Sequence, residues 1–260
     1  MFFPFKVVLI NPYELGRQPF ALAEPAALLK REGFAVTCLD LSLQKLDREI
    51  LEDAGLVALY VGMHTATRIA VQALPRIRQL AAQAHVCVYG LYAPMNEALL
   101  RGLGVGTVLG GELEPALVSL CRRLRAHATT GATGVTAGTV MNQSEPVISM
   151  GKVRFEVPDR GVLPKLSRYA HLVLPDGSTR VAGFAEGTRG CKHLCRHCPV
   201  VPVYQGTFRT VPADVVMEDI GQQVREGATH ISFGDPDFFN GHPRSQAGAG
   251  LARGIPACHV

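Results

Sequence analysis

The chain has 260 residues, of which 47% are hydrophobic and 18% charged, with a formal net charge of +4, so it is long enough for two domains of roughly 100–200 residues each. The charged fraction lies below the roughly 25% of an average soluble chain, and no block of Lys and Arg marks a surface for nucleic acid or anionic membrane. No run reaches transmembrane length and the apolar start Met1–Phe5 is too short for a signal sequence, so a cytoplasmic protein is expected, with neither nucleic acid nor membrane as a partner.

The first half alternates apolar strands with helices. Lys6–Ile10 reads as a buried strand ending at Asn11-Pro12, and Leu22–Arg31 as a helix closed by Gly33. Strand 34–39, a short helix over 47–53 and strand 56–61 follow. A long helix over 65–84 is expected to be interrupted near Pro75. Strand 86–89, helix 96–101, strand 105–109 and a closing helix over 112–126 complete the series. Continuous apolar strands separated by amphipathic helices predict a doubly wound parallel sheet covered on both faces. A ligand of such a sheet belongs at the carboxyl ends of the strands, near Asn11, His64, Tyr92 and Gly110, Gly111 and Glu112. Glu112 also suits the first turn of a helix for its dipole alone.

From about 129 to 151 the composition turns to Thr, Gly, Ala, Ser and Asn, which marks a linker or loop. Strands at 171–174 and 179–184 flank Pro175-Asp176-Gly177-Ser178 and form a hairpin. A helix over 213–225 and a strand over 229–233 follow. The expected organisation is therefore a first domain over 1–127, a linker over 128–165, a second region over 166–241, and an irregular tail over 242–260 that resembles out-of-frame sequence.

Of seven cysteines, Cys38, Cys87 and Cys121 lie singly in apolar segments, where a free thiol is a small core residue. Cys191, Cys195 and Cys198 are clustered as C-x3-C-x2-C. Closely spaced cysteines on one loop hold iron–sulfur clusters. Three thiolates leave one iron of a [4Fe–4S] cubane without a protein ligand. That open iron can chelate the amino and carboxylate groups of S-adenosylmethionine, and an electron from the cluster can then cleave the C–S bond. The resulting 5′-deoxyadenosyl radical abstracts a hydrogen atom from a substrate. Two other readings stay open. His193 or His197 could complete a Cys3His zinc set, which would make the chain a non-catalytic Rossmann-like ligand-binding module with a zinc appendix, or Cys195 and Cys198 could form a redox dithiol. Downstream, the strand ending in Phe233-Gly234-Asp235 offers Gly234 for close backbone approach and Asp235 for an ammonium group.

Glu186-Gly187-Thr188-Arg189-Gly190-Cys191 with Cys195 and Cys198 resembles a radical S-adenosylmethionine (radical SAM) signature, and the first half resembles the cobalamin-binding domain often fused ahead of it. Four stretches, 13–19, 63–68, 191–203 and 233–240, resemble the CUAEP/CCAEP-tail radical SAM (seleno)protein family. The resemblance covers about residues 5–241. It implies a Rossmann-like, cobalamin-binding-type sheet followed by the first βα units of an incomplete radical SAM (β/α) TIM-type barrel. It implies cluster ligation by Cys191, Cys195 and Cys198. It also implies S-adenosylmethionine contacts from His197, on the adenine side, and from Gly234 and Asp235, on the amino-group side. A one-electron donor of the flavodoxin or ferredoxin type is the implied partner, and the substrate is a small molecule or a peptide.

Two departures matter. The Asp-x-His-x-x-Gly motif that ligates cobalt is absent, since His64 has no Asp two residues before it. Cobalamin, if bound, would then have no protein histidine below the cobalt, and a sheet without the cofactor is the alternative. Second, the residues after Cys191 hold one helix and one further strand, far short of a barrel of about 250 residues. The expectation is a truncated enzyme with a poorly ordered cysteine segment, inactive by itself.

Overall fold

The computed structural model describes residues 5–130 and 145–238. Residues 131–144 of the expected linker, and the whole of the tail expected over 242–260, lie outside them. In chain order the elements are β1 (Lys6–Asn11), α1 (Phe20–Arg31), β2 (Ala35–Asp40), α2 (Arg48–Leu51), β3 (Leu56–Tyr60), α3 (His64–Leu80), β4 (His85–Tyr89), α4 (Glu97–Gly102), β5 (Thr107–Gly111), α5 (Glu114–Thr130) and β6 (Ile148–Ser149). Then come β7 (His171–Val173), β8 (Thr179–Ala185), β9 (Thr188–Gly190), α6 (Val201–Tyr204), β10 (Phe208–Thr210), α7 (Ala213–Arg225) and β11 (His230–Phe233). They form two compact units. Of the described residues, 5–13, 25–130 and 145–153 make up the first, and 14–24 and 154–238 the second. No helix of the described residues is long and apolar enough to cross a membrane.

The first unit is a parallel sheet in the order β2-β1-β3-β4-β5-β6, the flavodoxin-like winding with its switch point between β1 and β3. Period-two alternation divides the strand residues between the faces. Val8, Ile10, Val57, Leu59, Val86, Val88 and Val108 pack with Leu51 of α2, Leu74 and Ile77 of α3 and Leu100 of α4. Val7, Leu9, Leu56, Ala58 and Cys87 turn the other way and are equally buried. Cys121 of α5 lies on that side. Burial first, and then Cys121, push the Cys87 thiol far up, and burial pushes Cys121 up to about 12. Both are inert core thiols.

α3 is one continuous helix, contrary to the interruption expected at Pro75. The proline ring sits on the exposed side, where water can take the carbonyl that loses its N–H partner. The opposite stripe of Ala66, Ala70, Leu74, Ile77 and Leu80 holds the helix to the sheet. The stretch expected as a linker contributes β6, which adds in parallel to β5 with Gly110 opposite Ile148 and Gly111 opposite Ser149.

In the second unit β8 is central, antiparallel to β7 and parallel to β11. α7 joins this sheet through Val216 and Ile220, which pack with Ala185, Val211 and Ile231. This β8–α7–β11 unit is the start of a parallel βα series. The base of the cysteine loop is closed by a short antiparallel ladder, Gly190↔Phe208 to Thr188↔Thr210. Residues 14–24 belong to this unit through Gln18, whose Nε2 donates to Pro164 O at 3.0 Å, and Gly16, whose carbonyl accepts from Ala170 N at 2.9 Å. Arg160, 1% exposed, is the largest fully buried side chain among the described residues. It makes a bidentate pair with Asp219 at 2.7 and 2.8 Å and donates to Phe184 O at 2.7 Å.

Candidate functional site

The cysteine loop leaves β9 at Gly190, whose φ of +73° and close approach to Thr207 O admit no side chain. Cys191 and Cys198 are half-buried and Cys195 is exposed, all as free thiols. His193 N donates to Cys191 Sγ at 3.4 Å and Cys198 N to Cys195 O at 3.2 Å. Burial raises the Cys191 thiol, the N–H of His193 opposes this, and Asp237 and Cys198 reinforce it. No three His, Cys, Asp or Glu side chains among the described residues are arranged to hold a metal ion. The fit to a cluster therefore rests on donor chemistry: three soft thiols on one eight-residue loop, each reachable from solvent. His193 and His197 are exposed and outside any such grouping.

The loop after β11 closes over the same region. Asp235 Oδ1 accepts from Gly187 N at 2.9 Å and from Thr188 Oγ1 at 2.6 Å, and Asp237 Oδ2 accepts from Lys192 N at 3.1 Å. Asp235 Oδ2 is buried without a hydrogen-bond partner. Burial raises its carboxyl, against the pull of Thr188 and Gly187. An orphaned carboxylate oxygen beside the thiol loop fits an ammonium donor such as the amino group of S-adenosylmethionine. Gly234 has a packing reason of its own: a Cβ there would meet Phe184 Cζ at 2.0 Å.

Sequence reasoning missed the groups beneath the loop. Glu24 on α1 pairs with Arg189 of β9 at 2.5 Å, and the Arg189 guanidinium lies 5.0 Å from the centre of the Phe155 ring. Glu186, next to this pair, is pushed up to about 7 by burial, against the attraction of Arg189. The Glu-Gly-Thr-Arg-Gly run names Glu186 and Arg189 but gives no sign of Glu24.

In the first unit a cavity of about 500 Å³ lies between α3 and the stretch from Tyr92 to Leu99, the segments that follow β3 and β4. Its lining includes His64, Arg68, Val71, Tyr92, Met95 and Leu99. Two of the six residues expected around a ligand, His64 and Tyr92, are there. His64 is exposed and bonds Thr65 Oγ1 at 3.3 Å through Nε2. Asn11 is not in the lining. It is wholly buried, and its Nδ2 donates to Asp40 Oδ1 at 3.0 Å. Gly110, Gly111 and Glu112 are covered by β6, with Gly110 N bonded to Val147 O and Glu112 N to Ser149 O. Of the residues expected around a ligand, this cavity thus gathers His64 and Tyr92 alone. Its lining combines apolar Val71, Met95 and Leu99 with polar His64, Arg68 and Asn96, a mixture that suits an organic ligand with amide groups.

No family model matches the chain, and no curated protein matches it. Solved structures do, among them two of the radical S-adenosylmethionine methyltransferase TsrM from Kitasatospora setae. One, with cobalamin and a [4Fe–4S] cluster bound, is 18% identical, covers 91% of this chain and 48% of its own, and has a TM-score of 0.62. The other, with tryptophan substrate and the analogue aza-SAM bound, is 19% identical, covers 90% of this chain and 48% of its own, and has a TM-score of 0.61. The chain spans about half the length of these enzymes. What it shares with them is the fold, an α/β chain in which a Rossmann-like parallel sheet is followed by the first βα units of a barrel.

Proposed function

We propose that this chain carries the cluster-binding and corrinoid-binding portion of a radical S-adenosylmethionine enzyme, related to the CUAEP/CCAEP-tail group by its four resembling stretches. The observation that supports it best is a three-thiol loop joined to Asp235, whose Oδ2 is buried and unpaired. Cys191, Cys195 and Cys198 would hold a [4Fe–4S] cluster, which supplies an open iron for S-adenosylmethionine and the electron that cleaves it. Asp235 would accept the substrate ammonium at Oδ2 while its Oδ1 keeps Gly187 and Thr188 in place. Gly234 and His197 would border the same ligand.

The cavity lined by His64, Arg68 and Tyr92 would hold cobalamin, which supplies a cobalt able to carry a methyl or other alkyl group. Val71, Met95 and Leu99 would exclude water from one face of it. Lys192 and Arg196 are exposed around Cys195, which suits an acidic one-electron carrier of the flavodoxin or ferredoxin type. The substrate class is a small molecule or a peptide.

Anaerobic reconstitution with iron and sulfide, followed by metal analysis, tests the reading. A brown protein with about four irons per chain supports it. A colourless protein with one zinc supports the ligand-binding module instead.

A further inference from the structure

We propose that Glu24 is a positioning residue for the cysteine loop, acting through Arg189. β9 is only three residues long, yet it is the element from which the loop departs. Successive strand side chains point to opposite faces, so Thr188 and Gly190 lie on one side and Arg189 on the other. The Thr188 side is fixed by Asp235 at 2.6 Å. The Arg189 side is fixed by Glu24 at 2.5 Å, with the two side chains only 11% and 6% exposed.

The ladder gives this carboxylate a task. Arg189 stands directly opposite Arg209 on β10, and like charges in directly opposed positions destabilise a strand pair. A carboxylate next to Arg189 removes that penalty. Glu24 stands at ion-pair distance from Arg189. Phe155 covers the guanidinium and lowers the dielectric around the pair, which strengthens it. The loop base is thus gripped on both faces by carboxylates from distant parts of the chain, Glu24 before the sheet's second strand and Asp235 after the last. Glu24 acts through the strand.

The test compares the whole protein with Glu24→Gln and with the charge exchange Glu24→Arg/Arg189→Glu. Hydrogen exchange at amides 188–192 of the protein before iron loading reads the strand directly. Glu24→Gln should speed it about tenfold, a typical effect of leaving one member of a partly buried pair alone, and the exchange variant should restore it. The electron paramagnetic resonance line of the reduced, reconstituted protein should broaden in Glu24→Gln and sharpen again in the exchange variant, which a loss of global stability alone would not produce. Should Glu24→Gln fail to fold, Glu24→Asp, with the carboxylate drawn back by one methylene, carries the same expectation at smaller amplitude. Wild-type exchange rates at 188–192 in these variants overturn the proposal. The significance of the loop rests on the cluster reading, but the exchange measurement does not, so a wild-type protein that takes up no iron overturns that reading and leaves the Glu24 assignment standing on its own result.

Discussion

Removing the Asp219 carboxylate should unfold the second unit more readily than any surface change in it. Arg160 and Asp219 have side chains 0% and 3% exposed. Asp219→Ala deletes both bonds of the bidentate pair at 2.7 and 2.8 Å, and a third from Gln223 Nε2 to Asp219 Oδ2 at 3.2 Å. Arg160 would keep Phe184 O at 2.7 Å and a long contact with Gln18 Oε1 at 3.4 Å. Two neutral acceptors remain for a buried cation that has lost its counter-charge. Breaking one side of such a pair costs about 3–5 kcal/mol. Asp219→Asn should fare little better, because its amide nitrogen would meet the donors of Arg160 or Gln223. The double change Arg160→Met/Asp219→Leu should recover most of the loss, since a well-packed apolar replacement carries no desolvation penalty. The chain has no tryptophan, so urea unfolding followed by far-ultraviolet circular dichroism, with hydrogen exchange on α7, is the suitable assay. A loss below about 1 kcal/mol for Asp219→Ala, the level of an exposed pair, would refute the reasoning.

Gly234→Ala drives a methyl group into the Phe184 ring and should cost about 1–3 kcal/mol as an overpacked contact; Phe184→Leu in the same chain should relieve it, as read by thermal melting. The two units should respond to pH in opposite senses. Burial first, and Arg123 next, lower His85 from 6.5 to about 4, so the unfolded chain binds the extra proton and the first unit loses stability as pH falls through that window. Glu186 is raised from 4.5 to about 7, so the folded chain binds the extra proton and the second unit loses stability as pH rises through that window. Melting curves against pH should flatten on the respective side in His85→Gln and Glu186→Gln. Val71→Trp fills the cavity between α3 and the stretch from Tyr92 to Leu99 and should abolish corrinoid retention on gel filtration with little change in melting temperature; retention would place the corrinoid elsewhere.

The parallel sheet was legible because its strands are continuous apolar runs and its helices carry one apolar stripe each. β1, β3, β4 and α7 fall within a residue or two of the periodicity. β6 was not legible. Two residues, Ile148 and Ser149, after a Gly- and Thr-rich stretch carry no periodic signal, and only their pairing with Gly110 and Gly111 makes them a strand. That strand also explains why Gly110–Glu112 do not reach the cavity. Pro75 misled for a local reason, since a proline on the exposed side of an amphipathic helix costs one hydrogen bond that water can replace. The clustering of Cys191, Cys195 and Cys198 on one loop was visible in their spacing. Their support was not, because Gln18 meets Arg160 and Glu24 meets Arg189 across intervals of 142 and 165 residues. An arginine in a Pro-punctuated stretch such as 158–164 reads as surface until its carboxylate partner is seen.

The account turns on a metal cluster held by three protein thiolates with its remaining iron open to S-adenosylmethionine. The Mössbauer spectrum of protein reconstituted with isotopically enriched iron, taken before and after addition of S-adenosylmethionine, measures this directly. The account predicts that one iron in four shifts on addition while the other three hold, and that the cluster is lost when Cys191, Cys195 and Cys198 are all changed to alanine. Iron that ignores S-adenosylmethionine, or that survives the triple substitution, would contradict it.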